Sequence, residues 1–539
     1  MQKVLTAEQM RTVDRLTTER FNIPSLLLME NAAHALAHAI SERLGGSVRG
    51  RNVLILCGKG NNGGDAAALA RLLRMQGAAA DVCLFGKVEQ TAGDARVNFQ
   101  AAECLSGTSF SFSEVSTIED FRHGRDLFRQ EHGRFDAVVD GLFGFGLDRP
   151  IAGFFARLAD EINTMFRGDR VPLRVAIDLP SGAMADSASV EGPVVKADLT
   201  VTFTAPKLAN VAIPIAAYGG ELIVADIGSP KELIDEQASK TFVSETADAA
   251  EWLERTSFSD DSFKNKRGHT LVIAGSREYS GAAVLAANAS MRSGAGLVTL
   301  AVPKGCQRLA APRLLPEVIL RGVAETDGGT IAEAAFDELV KVLATADSVL
   351  IGCGLAKDES TAAFIRKAVE HRKQPLVLDA DGLNQIAPIE FKNSPEAPAL
   401  ILTPHEGEFL RLLGTSDKAA VADRISAVRD MAVKRGVIVV LKGERVLIGS
   451  PDGRVVINPT GNSGVGKAGN GDTLSGIIAG ITAQGARFGM EPFETVVSAV
   501  FIAGMAADVA EEWYGKRVMT ASDVRECLTA SFDRLERNR

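Results

Sequence analysis

Basic charge is in short supply in this 539-residue chain, where 59 Lys and Arg stand against 68 Asp and Glu, for a net charge of -9 and a pI near 5.5. Nucleic-acid and anionic-membrane surfaces both reward clustered Lys and Arg, so neither partner is expected. Cysteine is sparse and scattered: Cys57, Cys83, Cys104, Cys306, Cys353 and Cys527 form no C-x-x-C and no short disulfide framework. That usage fits a reducing compartment, and the cytoplasm is the expected location. The opening MQKVLTAEQMRTVDRL is polar and reads as a helix start, without the apolar core of a signal peptide. No uncharged apolar run reaches the ~18 residues that a membrane helix requires, so a soluble protein is expected.

What is present is a rhythm. From Val53, β-branched runs alternate with Ala/Leu-rich stretches: VLILC, ADVCLF, FDAVVD, RVAIDLP, DLTVTF and ELIVADIG. Strands between helices signal a parallel sheet covered on both faces. After Gly228 the chain turns polar and charge-rich, and then a second series begins with HTLVIAGS, GLVTLAVP, DSVLIGCG, PLVLDADG, ALILTP and VIVVLKG. The expected fold is therefore two α/β domains in tandem, residues 1–235 and 242–539, with the boundary between Asp235 and Phe242. Two domains suit the length as well as three or four do.

Behind the first strand, Gly58, Gly60 and Gly63 satisfy G-x-G-x-x-G, but an acid is missing where a dinucleotide fold needs one. The second strand ends in Gly86-Lys87 and carries Asp81 at its beginning, so the redox fingerprint is incomplete. Asn61, Asn62 and Asp65 crowd the same turn. Their oxygens, beside backbone N–H groups, suit a hydroxyl, a phosphate or a hard cation, and Asn and Gly equally suit a turn with positive φ. Two more strand ends carry an acid and a glycine-rich loop: Asp140 in VVDGLFGFGLDRP, and Asp178 with Ser181 in VAIDLPSGAMAD. Open parallel sheets bind ligands at that edge.

Taken together, LLMENAA, GKGNNGGD, VDGLFGFGLDRP, IDLPSG and KADLTVTFTAPK resemble the NAD(P)H-hydrate epimerase domain across nearly all of residues 1 to 230. The resemblance implies a Rossmann-like α/β/α fold in which the nicotinamide nucleotide is the damaged substrate and not a hydride carrier. It implies that Asn61, Asn62, Gly63, Gly64 and Asp65, with Gly144, Phe145, Gly146, Leu147, Asp148, Arg149 and Pro150, line that substrate. Asn62, Asp140 and Ser181 would hold K+, and Asp178 would contact the reacting end as the general acid/base. Ala66 stands where the family usually has Gly, and its methyl is expected to tighten the helix start against the ligand.

In the second half, Gly461 to Lys467 nearly spells a P-loop, but Ala468 occupies the Ser/Thr position that binds magnesium. The alternative is Gly469-Asn470-Gly471-Asp472 opening a helix, whose N-terminal N–H groups favour an anion while Asp472 can point at a hydroxyl as base, although a glycine turn with Asp at a helix N-terminus is common without any such role. This resembles the anion hole of ribokinase-like phosphotransferases. Beside it, SGAGLVTLAVP, GCGLAKDE, PLVLDADGLN, LTPHEGEF and VLKGERVLI make residues 245 to 530 similar to the ADP/ATP-dependent NAD(P)H-hydrate dehydratase. That implies a substrate site at Ala282, Gly354, His405 and Asp472, and adenine-nucleotide phosphate near Lys442, Gly443, Glu444, Arg445, Val446 and Gly471. ADP is the expected co-substrate, with ATP as the alternative, and Mg2+ bridges the transferring phosphate. The family usually opens H-K-G where this chain has Phe263-Lys264-Asn265, so a different entry loop is expected.

Other signals lead elsewhere. Glu30, His34 and His38 share a helix face without a fourth metal ligand, and Ser181 lacks the G-x-S-x-G elbow of a hydrolase. The sequence thus reads as a bifunctional enzyme for hydrated NADH and NADPH, expected to be a homo-oligomer. The rival is a ribokinase-type small-molecule kinase fused to a non-catalytic binding module.

Overall fold

The β-branched runs of the first half form one seven-stranded parallel sheet in the computed structural model, which describes residues 1–165 and 171–537. Its strands are β1 (Asn52–Cys57), β2 (Ala79–Phe85), β3 (Phe110–Val115), β4 (Ala137–Gly141), β5 (Leu173–Ile177), β6 (Leu199–Phe203) and β7 (Glu221–Ala225), in the order β3-β2-β1-β4-β5-β6-β7. Central β1 shows why the run is continuously apolar. Val53, Ile55 and Cys57 join one core with α2 (Ser25–Arg43), α3 (Asn61–Met75) and α4 (Gly93–Cys104). Leu54 and Leu56 join the opposite core with α5 (Ile118–His132) and α6 (Gly153–Met165). A period of two places alternate residues on opposite faces, so two covered faces demand an unbroken apolar strand. This is the three-layer Rossmann-like arrangement, and its strand order reverses between β1 and β4, where a ligand crevice opens at the carboxyl ends.

The second compact unit begins at Lys240, and Gln2–Ser239 form the first. Its strands β8 (Thr241–Val243), β9 (His269–Ile273), β10 (Leu297–Pro303), β11 (Ile319–Val323), β12 (Ser348–Ile351), β13 (Leu376–Leu378), β14 (Leu400–Leu402), β15 (Ile438–Leu441), β16 (Leu447–Gly449) and β17 (Val455–Ile457) lie in the order β8-β17-β16-β15-β14-β13-β12-β9-β10-β11. These strands are parallel except β16, which runs antiparallel to both β15 and β17. Each of these two strands is only three residues long, and a hairpin closes them through the Ser450 N–H donating to the Arg454 carbonyl at 2.8 Å.

Helices α7 (Ser280–Arg292), α8 (Glu406–Leu413), α9 (Asn470–Arg487) and α10 (Pro492–Tyr514) complete the parts of this unit that matter for the site. Small residues let α9 approach α7: a Cβ built on Gly476 would stand 2.2 Å from the Ala286 carbonyl oxygen. α10 is long and apolar enough to cross a membrane, and 78% of its apolar window is buried inside the protein, where Val496, Val500 and Ala503 belong to the core.

Candidate active sites

In the first unit a cavity of about 1040 Å³ opens at the carboxyl ends of β1, β4, β5 and β6, at the upper end of small-molecule sites. Asn61, Asn62, Asp65, Gly144 to Pro150 and Asp178 line it, joined by Met10, Arg11 and Asp14 of α1 (Ala7–Phe21) and by Thr204 and Lys207 after β6. Gly63 and Gly64 stand behind this wall. A Cβ on Gly63 would lie 1.8 Å from the Gly58 carbonyl oxygen, and one on Gly64 would meet Ala95 and Met29, so these glycines pack the turn against its neighbours.

Asp178 is held from three sides. Its Oδ1 accepts from Lys207 Nζ at 2.7 Å and from Thr202 Oγ1 at 2.9 Å, and its Oδ2 accepts from the Phe145 N–H at 2.9 Å. Its backbone has φ 65°, and Thr204 at the end of the adjacent strand has φ 64°. Each sits at the centre of a tight turn, Leu179 N–H to Ile177 O and Ala205 N–H to Phe203 O, both 2.7 Å. Non-glycine residues rarely occupy this region, and such strain concentrates at ligand sites. Gly144 allows the loop after β4 to close over Asp178: a Cβ there would stand 2.8 Å from Asn62 Oδ1 and 3.1 Å from Asp178 Oδ2.

Asp140 and Ser181 lie together beneath this loop. Ser181 donates to Asp140 through Oγ at 2.6 Å and through its N–H at 2.8 Å, and the Phe143 N–H donates to Ser181 Oγ at 3.0 Å. Burial pushes the Asp140 carboxyl up to about 6, against the lowering effect of those hydrogen bonds. Asn62 Nδ2 is buried without a partner among the described residues. An amide free to turn its oxygen inward, a hydroxyl and a buried carboxylate form a hard-oxygen set that fits a potassium ion. The Ala66 methyl does not face the ligand as expected. It packs on β4, 2.6 Å from where a Cβ on Gly141 would be.

In the second unit the strand ends converge on α9. Gly469, with φ 89°, opens that helix without a side-chain cap, and the N–H groups of Gly471 and Asp472 have no acceptor among the described residues. Lys442 Nζ lies 3.5 Å from the position of a Cβ on Gly471 and 2.7 Å from Asp379 Oδ1. Asp379, 1% exposed, also accepts from Ser475 Oγ. Cys353, Asp379 and Asp472 offer ligand atoms within 4.8 Å of one another. The carboxylate oxygens suit Mg2+, whereas the sulfur does not. Burial, with the Asp379 charge adding to it, pushes Asp472 up to about 6. Burial works against the Lys442 ammonium, yet Asp379 and Glu408 outweigh it and raise that group.

Gly354, with φ 64°, sits directly against Ala282: a Cβ on it would stand 2.9 Å from the Ala282 Cβ and 2.8 Å from Tyr279. His405 caps α8, its Nδ1 accepting from the Gly407 N–H at 3.0 Å, while its side chain stays 56% exposed. Lys442, Gly443, Glu444, Arg445 and Val446 form the loop between β15 and β16, spanned by Arg424, which donates to the Glu444 and Lys442 carbonyls. Lys467 of the near-P-loop is occupied elsewhere, donating to the Met519 and Arg517 carbonyls. Phe263-Lys264-Asn265 enters a short 3₁₀ turn, Lys264–Lys266, whose Lys264 carbonyl oxygen lies 2.0 Å from where a Cβ on Gly296 would be. On α2, Glu30 pairs with Arg71 and His34 at a partly exposed face.

Sequence reasoning passed over Lys207, Asp379 and Asp14. The first two end the strand motifs FTAPK and VLDADG, where a charge closing an apolar run is itself a signal; Asp14 sits in a helix with no such mark.

Residues 25–209 match the family model described as the YjeF-related protein N-terminus, and residues 270–530 match that of the NAD(P)H-hydrate dehydratase. The chain is 37% identical over 533 residues to the bifunctional NAD(P)H-hydrate repair enzyme of Moorella thermoacetica, covering 99% of this chain and 97% of that protein. Its counterpart from Coxiella burnetii is 35% identical over 517 residues, 96% of each chain. Among solved structures, the ADP/ATP-dependent NAD(P)H-hydrate dehydratase of Bacillus subtilis is 27% identical, covers 55% of this chain and 98% of that one, and has a TM-score of 0.47.

Proposed function

The chain belongs to the family of bifunctional NAD(P)H-hydrate repair enzymes, and on that premise we propose that its first unit interconverts the epimers of hydrated NADH and NADPH while its second returns the (S)-epimer to NAD(P)H at the expense of ADP. One observation carries the division of labour. Each unit, from its own residues, presents a buried aspartate 2.7 Å from a lysine at the carboxyl ends of its parallel strands, Asp178 with Lys207 and Asp379 with Lys442.

Hydration of a dihydropyridine leaves the hydroxyl on the carbon bonded to the ring nitrogen, a carbinolamine whose configuration inverts through loss and return of water. In the first cavity Asp178, held by Lys207 and by the Phe145 N–H, would face that carbon as base. Asn62, Asp140 and Ser181 would hold K+, which when bound orients the ligand by charge. The cavity loops Asn61–Asp65 and Gly144–Pro150 would grip the nucleotide.

In the second unit the hydroxyl attacks the terminal phosphoryl of ADP as Asp472 takes its proton, forming a phosphate ester and AMP. The Gly471 and Asp472 N–H groups and Lys442 hold the negative oxygens in transfer. The ring nitrogen's electron pair then expels inorganic phosphate, and loss of a proton from the adjacent carbon restores the ring double bond. Ala282, Gly354 and His405 would seat the hydrated ring, and the Lys442–Val446 loop the adenine nucleotide. Asp379 would help hold Mg2+, which would supply charge neutralisation when bound. All six cysteines are free, in keeping with a cytoplasmic location.

The test is hydrated NADH incubated with the full chain and Mg2+, with ADP or ATP added separately, in potassium or lithium buffer, following the return of reduced-nicotinamide absorbance. Recovery of both epimers with ADP and potassium is expected. Accumulation of a stable phosphorylated hydrate, or recovery of one epimer only, overturns the reading.

A further inference from the structure

We propose that Asp14, on the N-terminal helix and outside every glycine-rich turn, is the second acid/base residue of the epimerisation site, working in alternation with Asp178; this rests on the epimerase reading above. The chemistry asks for two groups. The C–O bond breaks with its electron pair going to oxygen, which takes a proton and departs as water, while the nitrogen pair closes a C=N+ bond. Water then adds from the opposite face, its oxygen pair making the new C–O bond, the C=N+ pair returning to nitrogen, and its proton passing to a base. Addition from the face of departure regenerates the starting epimer. Inversion therefore needs a proton donor on one face and an acceptor on the other, and the pair carries one proton in either direction.

Asp178 is fixed in place by Lys207, Thr202 and the Phe145 N–H, all donating to its carboxyl, so this one group serves one face of the ring. Asp14 is its complement. It lines the same cavity one turn after Met10, and its carboxyl accepts no hydrogen bond from any described residue. Phe145 ties α1 to the buried pair: its N–H bonds Asp178, while its ring centroid lies 5.8 Å from the Arg11 guanidinium and 5.6 Å from Lys207 Nζ.

Burial, reinforced by Asp178 and opposed by Lys207, pushes the Asp14 carboxyl up to about 6, where a group can both give and take a proton near neutrality. Asp65, in the first turn of α3, is pushed up by burial and then by the Asp178 and Asp14 charges. The helix packed on α1, Lys231–Asp235, meets it through Leu233, and its charges are not among those acting on Asp14.

The experiment uses the full chain and one purified epimer of hydrated NADH in ¹⁸O-water without ADP, reading epimer exchange and ¹⁸O uptake together. Asp14→Asn is expected to slow both by about 10²–10⁴-fold, leave KM unchanged, and lack the fall in kcat/KM above about pH 6 that is expected of the wild type. Asp14→Glu recovers part of the rate. An unchanged melting temperature for each variant reports an intact first unit. Exchange by Asp14→Asn at the wild-type rate, or a loss confined to KM with the pH profile unchanged, overturns the role of Asp14. Absence of exchange in the wild type overturns the epimerase reading instead.

Discussion

Lys207 Nζ stands 2.7 Å from Asp178 Oδ1, with the two residues 0% and 3% exposed, so the charge of the first site belongs to a buried pair and not to a lone carboxylate. Removing one partner of such a pair leaves the other charge buried and uncompensated, a loss of about 3–5 kcal/mol. Lys207→Met is expected to lower the melting temperature of residues 2–239 and to abolish epimer exchange. An unchanged melting temperature would contradict a stabilising role for the buried pair.

The two activities are expected to separate. Asp472→Asn stops dehydration and leaves epimer exchange intact, because Asp472 lies in the second unit, where its charge couples to Asp379 and Lys442. Asp178→Asn does the reverse: dehydration of the (S)-epimer proceeds while the (R)-epimer is stranded. Chiral chromatography of the remaining substrate reads both outcomes in one assay, and a substitution that removes both activities from a folded chain contradicts separate sites.

The pH dependence of dehydration follows from burial of Asp472, which lifts its carboxyl to about 6 from the ordinary value of about 3.9. The anion is the base, so its population falls as pH drops through about 6, and the rate falls with it by about tenfold per unit below that point. For stability the sign is opposite. A carboxyl whose folded value exceeds its unfolded one favours the fold most in acid, and that contribution is lost as pH rises through about 6. Initial rates between pH 5 and 8 check the first statement, since a flat profile removes Asp472 as base.

Gly144→Ala tests the closure of the loop over Asp178. The new methyl would stand 2.8 Å from Asn62 Oδ1 and 3.1 Å from Asp178 Oδ2, tighter than carbon and oxygen tolerate, so the two groups must separate by some tenths of an ångström. Misplacement on that scale is expected to lower epimer exchange by about 10–100-fold while leaving dehydration unchanged.

The sequence made the central strands plain because both faces of each are covered, which writes an uninterrupted apolar run such as VLILC. It concealed Phe110–Val115 and Ile319–Val323, which lie at sheet edges and alternate with exposed or half-buried positions. It also concealed the three-residue strands of the antiparallel hairpin, too short to carry a period. The strand-end aspartates were legible because glycine-rich loops follow them. Lys207, Asp379 and Asp14 were not, since what distinguishes them is a partner, or the lack of one, contributed by a distant part of the chain. Ala66 was legible as a departure but misread in direction, because a helix position says nothing by itself about which neighbour its methyl meets.

That methyl on Gly141 carries an evolutionary consequence. Helix α3 and strand β4 have room at this crossing for one side-chain carbon, supplied here from position 66. A side chain at position 141 would also meet the Leu56 and Asn62 carbonyl oxygens at 3.1 and 3.2 Å, so descendants of this chain should keep glycine at 141 whichever small residue stands at 66.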